Sequence, residues 1–269
     1  MDARIEYGDR TFRIMQQYTV RGDVYVCRDI RADPIPFGDI GFPKRLVDAL
    51  IHPRMRKGGL ILWTGSAGAG KSTSQASYVT EFLKTFGGTA WTVENPAEID
   101  IDGPHVGRND TVGTCYQTEV KDDSEFAVAI QRLLRAAPNL IMLGEIRTPS
   151  AAAQAVLAGM SGHVVSSTLH GSDVSTALER LKNLVKESGL DAHMLADALS
   201  AVIHQTMTVE TFADRSRRLI TVSPLVIGSS ANESSTRANL RKGDYSLLSS
   251  EIARQKTVLD QPPTATGRI

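Results

Sequence analysis

The spacing of apolar positions changes character about 40 residues into the chain. Before that point, Thr11–Met15 and Asp23–Cys27 are short alternating or β-branched stretches parted by Arg21-Gly22, so residues 3–30 read as strand-rich. Between 32 and 43 come Pro34, Pro36 and Pro43 with Gly38 and Gly41, the composition of a linker. Lys44–Ile51 then predicts a short helix with Leu46, Leu50 and Ile51 on one face.

From residue 59 onward, strands and helices alternate. Leu60–Thr64 is a compact apolar run, Lys71–Phe86 is helical, and Thr89–Glu94 is a strand ending in acid. Phe126, Ile130, Leu133 and Leu134 recur at three and four, which predicts a helix over Ser124–Ala136. Leu140–Leu143 reads as a strand, Ala151–Met160 as a small-residue helix and Val164–Leu169 as another strand. Leu195, Leu199, Val202 and Ile203 suggest a helix from about 191 to 209, and residues 262–269 a mobile tail. This order predicts an α/β fold around a mostly parallel sheet with right-handed crossovers.

Composition narrows the class. The chain has 269 residues, 41% hydrophobic and 22% charged, which fits a globular protein rather than a disordered one. Thirty basic residues balance thirty acidic ones, so no global charge draws the chain to nucleic acid or to an anionic membrane. Apolar runs such as Leu60–Trp63 are far shorter than a spanning helix, and MDARIEYGDR holds no apolar signal core. Cys27 and Cys115 form no CxxC pair, which excludes a tetracysteine zinc module and fits a reducing compartment. A cytoplasmic protein is the expectation.

The strongest chemical signal is Gly65-Ser66-Ala67-Gly68-Ala69-Gly70-Lys71-Ser72, a full GxxxxGKS motif between an apolar strand and a helix. In such a P-loop, backbone N–H groups and a helix N-terminus cradle phosphates. Lys71 is placed to neutralise the β- and γ-phosphates, Ser72 to ligate Mg²⁺, and Thr73 follows within the same nucleotide-binding stretch. Leu140–Glu145 adds an apolar strand closing on a carboxylate, the second group such a site needs. Glu94 and Glu98 lie four apart around Pro96, and His163 and His170 bracket a further strand. No NKxD motif is present, which argues against a small GTPase.

Taken in order, these motifs resemble those of the secretion ATPase superfamily, the motors of type IV pili and of type II and type IV secretion, and most closely its pilus retraction branch. The P-loop resembles the family's Walker A, Val93–Glu98 its Asp box, Leu140–Arg147 its Walker B and Gly162–His170 its His box. Gln117–Val120, Leu133–Asn139, Arg180 and Ala201–Gln205 also match similar residues, over roughly 12–227. The resemblance implies a RecA-like core at 44–227 behind a reduced strand-rich N-terminal domain at 1–31, a linker at 32–43 and an extension at 228–269. It implies ATP and Mg²⁺ as ligands, Glu98 as general base with Glu94 beside it, Glu145 as a Mg²⁺-organising carboxylate and His170 as γ-phosphate sensor. Arg13, Arg21 and Arg28 correspond to arginines that reach a neighbouring subunit's site. The implied assembly is a homo-oligomeric ring, a hexamer, held to the cytoplasmic face of the inner membrane by a platform protein of a pilus, secretion or conjugation machine, with no direct contact to nucleic acid. A non-motor ATP-binding accessory subunit is the alternative. The family's usual residues are replaced by Asn95, Thr118 and Thr148.

Overall fold

The computed structural model describes residues 2–8, 10–30, 33–212 and 215–259. A three-stranded antiparallel sheet comes first: β1 (Asp2–Tyr7), β2 (Arg10–Thr19) and β3 (Gly22–Ile30), in that spatial order.

The rest is an eight-stranded sheet with helices on both faces. Its strands are β4 (Gly59–Thr64), β5 (Gly88–Val93), β6 (Gly103–Val106), β7 (Val112–Tyr116), β8 (Leu140–Glu145), β9 (Val164–Leu169), β10 (Leu199–Phe212) and β11 (Arg215–Val226). They lie in the order β11-β10-β4-β9-β8-β5-β7-β6. The six strands from β10 to β7 run parallel, and β11 and β6 close the edges antiparallel. The P-loop strand β4 therefore sits well inside the sheet.

Coverage on both faces explains the apolar runs. Along β4, Leu60 and Leu62 face one helix layer while Ile61 and Trp63 face the other, so every position is buried. One layer holds α3 (Phe126–Leu133), α4 (Pro149–Met160), α5 (Val174–Glu187), α6 (Met194–Ala198) and α7 (Glu233–Lys242). The opposite layer holds α1 (Lys44–Leu50), α2 (Lys71–Phe86) and α8 (Ser249–Leu259). α4 starts where Thr148 accepts the Ala151 N–H at 3.3 Å with Pro149 at its first position. Its alanines, including Ala152, Ala155 and Ala158, let it lie close over the sheet.

Two stretches depart from the sequence pattern. The helix expected from about 191 to 209 is only α6, five residues long, and the chain then enters β10. β10 lies between β4 and β11 with both faces covered, so Leu199, Ala201, Val202 and Ile203 are all buried. A strand buried on both sides shows no alternation, and its apolar run imitates a helical stripe; the β-branched pair Val202-Ile203 carries the preference for strand. The proline-rich stretch before α1 is firmly packed. Phe37, Ile40 and Phe42 are buried, and Phe37 meets Trp63 and Tyr78 edge-on at 6.3 and 5.8 Å. Such aromatic pairs contribute about 0.5–1.5 kcal/mol each beyond their burial. Beyond β11, Leu240, Tyr245 and Leu248 join the apolar layer on one face of the sheet and Leu259 the layer on the other. The tail at 262–269 lies outside the described residues. Among the described residues no helix is long and apolar enough to cross a membrane.

Candidate active site

The C-terminal ends of the parallel strands converge on one cavity of about 670 Å³. Open α/β sheets bind ligands at this end, and the volume lies within the roughly 300–1,000 Å³ of small-molecule sites. Ala67, Gly68, Gly70, Lys71, Ser72 and Thr73 form one wall. Glu94 and Glu98 stand on another, and Glu145 and His170 close the third. A smaller cavity that shares His170 is lined by Gly65, Ser66 and Arg180.

The loop's path follows from its glycines. Gly70 takes φ +86° immediately before α2, a left-handed conformation that lets the chain curl into the helix. At Gly65 the constraint is closeness: a Cβ there meets the Gln205 carbonyl oxygen at 2.3 Å. Gln205, on β10, also donates from Nε2 to the Ala69 carbonyl at 2.6 Å, fastening the loop to the neighbouring strand. The Lys71 ammonium crosses the loop to the Gly65 and Ser66 carbonyls at 3.0 and 2.8 Å. Burial pulls its pKa below the ordinary value, while the carboxylates of Glu145 and Glu98 push back. From within α2, Gln75 Nε2 donates to the carbonyls of Leu143 and Ser166, both at 2.9 Å, tying the ends of β8 and β9 beneath the cavity.

Glu145 is doubly engaged. Arg147 Nε donates to Oε2 at 2.9 Å, and His170 Nε2 lies 3.4 Å from Oε1. Arg147 reaches on to Asp123 at 3.6 Å.

The two carboxylates of the β5 turn have different surroundings. Glu94 is 4% exposed, and burial pushes its carboxyl up to about 7 against the opposing hydrogen bonds from Gln117 and Thr92, with Glu98 and Glu119 adding to the rise. Glu98 is exposed on the cavity wall. The turn between them includes a cis Asn95–Pro96 bond. Two carboxyl groups in such different surroundings, one buried and one exposed, are suited to different roles.

The replaced family positions have local partners. Asn95 Nδ2 donates to the Lys121 carbonyl at 3.4 Å, Thr118 binds Thr92 through backbone and side chain, and Thr148 caps α4. Arg13 and Arg28 occupy paired positions on β2 and β3, and Arg21 is exposed in the turn joining them. Neither Arg13 nor Arg21 is among the described residues lining the cavity; the Arg28 side chain lies outside the described residues. Met207, Val209 and Arg218, from the β10–β11 hairpin, also line it. The sequence offers no signal for them, because their approach depends on that long hairpin folding beside Gly70.

A nucleoside triphosphate with Mg²⁺ fits this donor set. Backbone N–H groups and a buried lysine suit phosphates, and the Ser72 hydroxyl with the Glu145 carboxylate suits a hard cation that prefers oxygen.

Comparison with known proteins agrees with the geometry. The family model described as Type II/IV secretion system protein matches residues 1–255. Type II secretion system protein E of Pectobacterium carotovorum subsp. carotovorum is 33% identical over 174 residues, 65% of this chain and 32% of that protein. The chain spans about a third of the length of the curated relatives it matches. Among solved structures, the pilus retraction motor PilT with bound ADP superposes with a TM-score of 0.76 at 26% identity, covering 99% of this chain and 76% of that one. The Legionella pneumophila ATPase DotB gives 0.73 at 23% identity over 99% of this chain and 70% of its own, a likeness of fold. The core is RecA-like, as the motif order implied.

Proposed function

The chain belongs to the type II/IV secretion system protein family, and we propose that it binds ATP with Mg²⁺ and hydrolyses it as one subunit of a hexameric ring. In this reading the ring drives a type IV pilus or a type II or type IV secretion or conjugation apparatus from the cytoplasmic face of the inner membrane. It is held there by a partner protein. The observation that carries the reading is convergence: Lys71, Ser72, Glu94, Glu98, Glu145 and His170, from four separate motifs, line one cavity.

Each residue has a task set by its surroundings. The loop N–H groups and Lys71 hold the β- and γ-phosphates. Ser72 and Glu145 hold Mg²⁺, which when bound supplies charge neutralisation on the phosphate oxygens. Glu98 takes the proton of the attacking water; it is exposed to the cavity, whereas Glu94 is buried and bonded to Gln117 at 2.8 Å. Glu94 stands beside it, buried and with its carboxyl pushed up to about 7, and His170, next to Glu145, senses the γ-phosphate. Arg13, Arg21 and Arg28 serve the neighbouring subunit's site in trans, adding cations as the interface closes.

The test is Glu98→Gln, which keeps size and hydrogen bonding but removes the base. A fluorescent ATP analogue should still bind while phosphate release falls by about 10²-fold or more, the scale of a general-base contribution. A large loss in Glu94→Gln combined with near wild-type turnover in Glu98→Gln reverses the assignment.

A further inference from the structure

Glu98 is an exposed side chain on a turn, yet its backbone is pinned on both sides. Just past the end of β7, Gln117 holds four points around it. Its Nε2 donates to the Ile99 carbonyl at 2.9 Å and to Glu94 Oε1 at 2.8 Å. Its Oε1 accepts the Ile101 N–H at 3.1 Å, and its own N–H donates to Asp102 Oδ1 at 2.7 Å. Two residues on, Glu119 Oε1 accepts the Ala97 N–H at 3.0 Å. The residues immediately before and after Glu98 are thus both tied to the segment just past β7, and Ile99 and Ile101 are anchored in the core.

We infer that the Gln117 side-chain amide is a positioning residue for the Glu98 carboxylate, holding the turn so that the base faces the phosphate cavity. The inference rests on the proposed role of Glu98 and adds to it how that role is maintained. The geometry requires an amide. One terminus must donate twice, to a carbonyl and to a carboxyl, while the other accepts an N–H; among side chains of this length only glutamine does both. A carboxylate at 117 loses both donors and stands against Glu94. A hydrocarbon leaves the Ile99 carbonyl and the Ile101 N–H without their partner. Gln117 is not among the described side chains lining the cavity. Through its bonds to Ile99 and Ile101 its effect reaches the site by the placement of Glu98, and a displacement of about 1 Å in a catalytic group can cost on the order of 10²-fold in rate.

The experiment compares Gln117→Ala, Gln117→Glu, Glu98→Gln and the double variant Gln117→Ala/Glu98→Gln in the full chain. It measures kcat and KM for ATP hydrolysis, the Kd of a fluorescent ATP analogue, and melting temperature. The expected result is a fall in kcat of about 10- to 100-fold in both Gln117 variants, with KM and analogue Kd within about threefold of wild type. On the Glu98→Gln background, Gln117→Ala should cost less than about a further twofold, because the group it positions is already gone. Full additivity in the double variant, or a raised KM with kcat preserved, overturns the inference. Wild-type turnover in Glu98→Gln itself overturns the assignment of the base, which is a different failure. Gln117→Glu preserves side-chain volume and keeps the comparison valid if the alanine variant folds poorly.

Discussion

Replacing Glu94 by glutamine separates the cost of its buried charge from every other contribution to stability. In the folded chain, burial raises this carboxyl from 4.5 to about 7; in the unfolded chain it ionises near its ordinary value. Between those two pH values the folded state binds more protons than the unfolded state, so stability falls as pH rises. Below pH 4.5 both states are protonated, and above about 7 both are ionised, so the effect is confined to that window. At about 1.36 kcal/mol per pH unit, the separation puts the penalty on the ionised form at roughly 3 kcal/mol. Glutamine retains an oxygen to accept from Gln117 Nε2, now 2.8 Å away, and carries no charge. Urea unfolding of both proteins, nucleotide-free, at intervals from pH 4 to 8.5 gives the difference curve. Groups common to both cancel, including Asp173 and Glu251, whose lowered pKa values give stability that is lost in the opposite direction, as pH falls. The variant should match wild type at pH 4 and exceed it by roughly 3 kcal/mol above pH 7.5. A difference independent of pH, or one favouring wild type at high pH, refutes the argument that an unrelieved buried carboxylate sits beneath the cavity.

The loop and the ring are open to equally direct tests. Gly65→Ala drives a methyl group to 2.3 Å from the Gln205 carbonyl at φ +146°, so thermal unfolding should register a loss of roughly 1–3 kcal/mol, and the ATP analogue should bind at least tenfold more weakly; an unaltered melting curve refutes the close approach. For the ring, Lys71→Ala and a combined Arg13→Ala/Arg21→Ala/Arg28→Ala variant should each be nearly inactive alone, yet regain turnover when mixed, far above background given that trans arginines can contribute about 10³-fold or more. No rescue on mixing, with activity unchanged on dilution of wild type, means that each site is complete within one chain.

The α/β fold and the motifs that meet at one cavity were both legible in the sequence, the motifs for a physical reason. Phosphate binding constrains backbone path and charge over a few adjacent residues, so Gly65–Ser72 can be read without knowing the rest. Glu94, Glu145 and His170 were readable because each stands at the end of an apolar strand, with Glu98 in the turn that follows Glu94, and parallel strands deliver their ends to one side. Orientation within the site was not readable. That Glu94 is buried while Glu98 is exposed depends on Gln117 and Glu119, in the segment just past β7, bonding to this turn. β10 was misread because burial on both faces erases the period that separates strand from helix. The stretch from Pro34 to Pro43 was read by its prolines alone, although Phe37 and Phe42 between them were the better guide to packing.

The chain's two tryptophans lie on β4 and β5, each just ahead of a different motif. Trp63 is wholly buried two residues before Gly65, with its indole N–H on Ser166 Oγ at 2.9 Å and its ring 5.7 Å from Tyr78. Trp91 is half-buried three residues before Glu94 and lies against Tyr116 at 4.6 Å. The molecule therefore carries a pair of intrinsic fluorophores in unlike surroundings. Trp63 is shielded from a collisional quencher such as acrylamide and emits from an apolar cage bordering the phosphate loop. Trp91 is open to the quencher and reports on the strand leading into the carboxylate turn. Lifetimes resolved with and without quencher turn the two ends of the cavity into separate optical channels, with no label attached to either.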